Sequence, residues 1–137
     1  MKLEGAAKMI RIYFGEDDRW EGKPLHEAIV EEARRQDLAG ATVLRGIEGY
    51  GASSRIHRRH LLTSSDLPVM VCIIDEAEKV QAFLPTIERM VRDGLIAMSD
   101  VDVIRYVHRD DDGSRITPAG ERASRGSSRG TRGSDRQ

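Results

Sequence analysis

Residues 67–74 read LPVMVCII, apolar at every position. A strand with one wet face alternates apolar and polar residues, whereas a strand covered on both faces reads as a continuous apolar run. Here Val69, Val71 and Ile73 point one way and Met70, Cys72 and Ile74 the other, so the segment is expected to be a central strand buried on both sides. Pro68 is tolerated because it stands at the start, where it removes no interior ladder bond. The single Cys72 has no second cysteine to pair with and reads as a small buried hydrophobe.

Upstream, residues 40–60 (GATVLRGIEGYGASSRIHRRH) run from a strand pattern sown with glycines into a short, strongly basic loop. Residues 41–51 are expected to form a second strand, with Gly46 a bulge and Arg45 on the same side as Val43 and Ile47. An Arg buried on that side needs a partner, for which Glu48 or a ligand is a candidate. Before this strand, Pro24 suits a first helical position, and Leu25, Ala28, Ile29 and Ala33 recur at helical spacing until Gly40. Residues 10–14 (IRIYF) form a first strand that ends in the turn-prone GEDDRWEGKP, where Glu16, Asp17 and Asp18 read as a solvated charge run.

Downstream, Asp75 with Glu78 resembles a capping box opening a helix to Asp93, on the apolar line Val80, Phe83, Leu84, Ile87 and Val91. Pro85 should kink it and Gly94 end it. Residues 101–107 supply a last strand. The order βαββαβ matches an α+β, ferredoxin-like sandwich with one four-stranded sheet and two helices on one face. Two helices cannot cover both faces, so association of identical copies through the bare face is expected.

The 137 residues suffice for one domain, carry a net charge of -1 and hold no long apolar run, which points to a soluble, cytoplasmic protein. The charge is uneven: residues 1–112 carry -5 and residues 113–137 carry +4. The latter are mostly Gly, Ser and Arg, so 109–137 reads as a disordered tail outside a domain at 8–108.

Several segments together carry a family resemblance: GEDDRWEGKPLHEAIV, AGATVLRGIEGYGASSRIHRRHLL, DLPVMVCIIDEAEKVQAFLP and MVRDGLIAMSDVDVIRY. In order and spacing they resemble the PII-like proteins grouped as domain of unknown function 190, within the nitrogen-regulatory PII superfamily. The resemblance implies a homotrimer with adenine nucleotides bound in clefts between subunits, and a loop after the second strand, here 52–66, that contacts a target transporter or enzyme. Gly40, Thr42, Val43, Gly49 and Gly51 match the second strand and the approach to that loop. The segment DGLIAMSDVDV stands where the family's lysine-bearing phosphate loop lies, but offers only Gly94 and no lysine.

The residues themselves leave two readings of the basic loop open, an anion clamp and a loop that is only solvated, mobile or bound to a target. Arg55, Arg58 and Arg59 lie within five positions and supply bidentate donors, and Ser53 and Ser54 can add hydroxyl and backbone donors. The expected ligand-binding set is Gly40, Thr42, Arg45, Gly49, Gly51, Ser53, Ser54, Arg55, His57 and Arg58, taking a small anionic effector of the adenine-nucleotide class that the resemblance implies. No catalytic or metal site is expected, because Arg58 and Arg59 would repel a cation from His57 and His60 and no nucleophile–base motif is present. The expected function is therefore that of a PII-like signalling protein. Other readings stay open: an interaction module with no ligand, a hydrolase using His57 as base, and nucleic-acid binding by the tail.

Overall fold

A computed structural model describes residues 3–51, 57–58 and 66–107. The chain forms β1 (Gly5–Gly15), a small hairpin of β2 (Arg19–Trp20) and β3 (Lys23–Pro24), and α1 (Leu25–Arg35). It continues through β4 (Thr42–Arg45), β5 (Glu48–Gly49), β6 (His57–Arg58), β7 (Pro68–Asp75), α2 (Ala77–Met90) and β8 (Leu95–Val103). The main sheet is antiparallel with order β4-β7-β1-β8, the ferredoxin-like arrangement, because each helical crossover skips one strand position.

Alternation in β1 and β7 sets the layers. Ile10, Ile12 and Phe14 of β1 and Val69, Val71 and Ile73 of β7 enter one core with Leu25, Ala28, Ile29 and Ala33 of α1 and Val80, Phe83, Ile87 and Met90 of α2. Each large apolar side chain taken from water there contributes about 1.5–3 kcal/mol. The opposite sheet face carries Met9, Arg11, Tyr13, Met70, Cys72 and Ile74, all half-buried. Among the described residues β7 is thus sealed on one side only, and Cys72 lies on the open face instead of in the core.

Several element boundaries differ from the sequence expectation. The first helix ends at Arg35, well before Gly40, because Asp37 takes the left-handed conformation (φ 62°). Its N–H bonds Arg34 O, and Leu38 N–H bonds Ala33 O at 3.0 Å, the paired bonds of a Schellman end built without glycine. Asp75 makes no capping box. It is 2% exposed, and its carboxylate accepts from Glu76 N at 2.7 Å and from Ala39 N at 2.8 Å, tying the start of α2 to the loop before β4. The helix it precedes runs through Pro85 and stops at Met90, four residues before Gly94.

The last strand is Leu95–Val103, not 101–107, and it pairs with β1 along its whole length. Residues 104–107 leave the sheet, and the Tyr106 hydroxyl donates to Ala39 O at 2.7 Å. Among the described residues no helix is long and apolar enough to cross a membrane. The tail 109–137 and most of the loop 52–66 lie outside the described residues.

Candidate functional site at the root of the loop

The segment expected to be one bulged strand over 41–51 is divided in two. After β4 pairs with β7, Gly46 N–H donates to Pro68 O at 2.6 Å, and the chain crosses the Pro68 ring before β5 begins. A Cβ on Gly46 would sit 2.7 Å from Pro68 Cγ, and one on Gly49 would sit 3.0 Å from it. These two glycines therefore permit a close backbone crossing, in place of the expected bulge. From there β5 pairs with β6, placing Glu48 opposite Arg58 and Gly49 opposite His57, so the loop opens as a two-stranded ribbon.

The return limb is braced against the turn after β1. Glu16 N–H donates to Leu67 O at 2.8 Å and Asp17 N–H donates to Asp66 Oδ1 at 2.8 Å. The Asp66 carboxylate fills the space a side chain on Gly15 would need. Arg45, at the end of β4, forms an ion pair with Glu16. Its side chain is 55% exposed, so it is not buried as the sequence suggested. The run Glu16–Asp18 is correspondingly no free solvated turn: it stitches β1, β4 and β7 together at one end of the sheet.

Gly94 belongs to the same end. A Cβ there would overlap Tyr13 O and lie 3.0 Å from Val91 Cγ1, so glycine lets β8 start flush against β1. The Asp18 carboxyl is pushed above its ordinary range, first by burial and then by Asp66, Asp93 and Asp17, while the Gly15 N–H pulls it the other way. The described part of the root is thus acidic around one guanidinium. Elsewhere, a groove of about 500 Å³ lined in part by Trp20, Lys23, Glu31, Glu32, Arg35 and Arg89 has part of its charge paired internally, Lys23 with Glu31 at 2.7 Å and Arg35 with Glu32 at 2.6 Å. Among the described residues no group of three or more His, Cys, Asp or Glu is arranged to hold a metal.

A family model for DUF190, described as Uncharacterized ACR, COG1993, matches residues 7–103. The chain belongs to the DUF190 family. It is 45% identical over 98 residues to a UPF0166 protein of Aquifex aeolicus (strain VF5), covering 71% of this chain and 92% of that one. A UPF0166 protein of Methanocaldococcus jannaschii is 32% identical over 100 residues, covering 72% and 93%. Among solved structures, a putative PII-like signaling protein of Thermus thermophilus superposes with TM-score 0.53 at 17% identity, covering 73% of this chain and 91% of the other. CPII of Thiomonas intermedia K12, bound to ADP and bicarbonate, gives TM-score 0.51 at 20% identity, covering 72% and 88%. These likenesses establish a PII-like fold for this DUF190 chain.

The expected site residues fall into three groups in this DUF190 fold. Arg45, Gly49 and Gly51 stand at the loop root. Gly40 and Thr42 lie at the far end of β4, where Thr42 pairs with Cys72 on the open face. Ser53, Ser54 and Arg55 lie outside the described residues, as do the side chains of His57 and Arg58, whose backbone forms β6. Sequence reasoning missed Glu16, Asp66 and Pro68. Their signal was faint, since an acidic turn and a strand-opening Pro recur widely and only the register brings them together.

Proposed function

We propose that this chain is a PII-like signal-transduction protein without catalytic activity. Copies assemble as a trimer, bind a small anionic effector of the adenine-nucleotide class in clefts between them, and regulate a transporter or enzyme through the loop 52–66. The observation that carries the reading is the braced root. Both limbs of the loop are pinned to one sheet end by Gly46–Pro68 and Asp17–Asp66 bonds, so a change in loop order is transmitted to a rigid scaffold.

The described root is acidic apart from Arg45, so the phosphate charge of such an effector is met by Arg55, Arg58 and the other basic residues of the loop sequence. Support comes from the fold shared with CPII, a protein seen with ADP and bicarbonate. Titration calorimetry of the full chain against ADP, ATP, AMP and bicarbonate tests the reading. Saturable heat for at least one nucleotide, lost in Arg55→Ala/Arg58→Ala, is expected. Absence of heat for every one of them overturns effector binding and leaves the ligand-free interaction module.

A further inference from the structure

The sheet face turned away from the helices carries a single charge. Arg11 lies mid-strand in β1, between Cys72 of β7 and Ala97 of β8, with Met9 and Tyr13 before and after it on the same face. No position on this face in β1, β4, β7 or β8 is Asp or Glu. The Arg11 Nε is shut off from water and has no hydrogen-bond partner among the described residues. Native folds rarely leave such a donor unmet, and one that belongs to a charged group is the costliest kind.

Four strands spaced about 4.8 Å apart and averaging about eight residues at about 3.3 Å each span roughly 500 Å² in projection. That is of the same order as the about 800 Å² that one partner of a standard interface contributes. A second copy of this chain fits the face, in keeping with the assembly proposed above, on which this inference rests. Covering the face strips the remaining water from Arg11, and the open face of each added copy brings another Arg11 and, on its strands, no carboxylate. A cation buried in that way requires a counter-charge. The planar fork of a guanidinium matches the oxygens of a tetrahedral or planar oxyanion.

We infer that copies of this chain associate through the open sheet face and hold a small oxyanion there on Arg11. The anion is separate from the effector at the loop root, because Arg11 pairs in register with Ala97 and Cys72, in from the sheet end at which Gly15 meets Pro68. Its binding and the closing of the interface are one linked equilibrium.

Sedimentation velocity of the full chain, at fixed ionic strength with and without millimolar inorganic phosphate, tests this directly. Phosphate is expected to tighten assembly by on the order of tenfold or more, the linkage effect of an anion held well above its dissociation constant. Arg11→Met, which replaces the charge by an apolar side chain of similar length, should assemble at least as tightly as wild type and respond to phosphate no longer; Arg11→Lys should keep a reduced response. Wild-type assembly that ignores phosphate, or an Arg11→Met protein that still responds, overturns the anion site while leaving the assembly intact. A wild-type chain that stays monomeric with and without phosphate overturns the assembly itself. The wild-type comparison stands even if neither variant folds.

Discussion

Replacing Gly94 by Ala probes the closest backbone approach at the loop-root end of the sheet. The added Cβ would overlap Tyr13 O and press on Val91 Cγ1 at 3.0 Å, and Tyr13 is the residue paired with Leu95 where β8 begins. The obstacle is a carbonyl of a central strand, so relief requires β8 to move off β1. Overpacking of this kind costs about 1–3 kcal/mol, and losing one ladder bond adds about 1 kcal/mol. Reduced freedom of the unfolded chain returns about 0.4–1 kcal/mol. The net loss is roughly 2 kcal/mol, a substantial part of the about 5–15 kcal/mol that holds a typical domain together. In urea unfolding followed by circular dichroism at fixed protein concentration, a slope of about 1–1.5 kcal/mol per molar puts the midpoint roughly 1.3–2 M lower. A midpoint equal to or above wild type would refute the close-approach argument.

Asp75→Ala leaves Ala39 N–H and Glu76 N–H without their acceptor, and a loss of about 3 kcal/mol is expected by urea unfolding, with Asp75→Asn losing less; equal losses for the two would contradict it. Arg45→Ala breaks an exposed pair with Glu16, so stability should change by no more than about 1 kcal/mol, whereas nucleotide heat by calorimetry should weaken several-fold because the loop root loosens. Asp18 titrates higher in the folded chain than at its ordinary 3.8, so the native state binds more protons and stability falls as pH rises from about that value through the raised one. Asp18→Asn is thus expected to stabilise the chain at neutral pH, with the gain shrinking as pH falls toward 4, read from melting curves at a series of pH values; a gain that is flat with pH, or a loss at pH 7, would contradict the sign.

The layers were legible because alternation at Ile10, Ile12, Phe14, Val69, Val71 and Ile73, and helical spacing at Leu25, Ile29, Val80 and Ile87, encode burial directly. The element ends were less so. Asp37 ends a helix in a conformation usually given to glycine, which displaced the expected stop to Gly40. Asp75 looked like a cap but is claimed by Ala39, a residue far off in sequence that only the fold brings near. At the loop root, Gly46 reads in sequence as a bulge and Gly94 as a helix stop, yet what lies where their side chains would be, Pro68 and Tyr13 O, is a property of register and cannot be read locally. Arg11 was visible as a charge inside IRIYF, but its isolation becomes apparent only when three neighbouring strands are seen to offer it no carboxylate.

Hydrogen exchange of the full chain with and without saturating ADP addresses the coupling between cleft, loop and scaffold most directly. The account predicts protection concentrated in peptides spanning 45–66 and in the turn 15–18 that braces them, with little change along α1. Unchanged exchange across 45–66 while ADP is bound would contradict it.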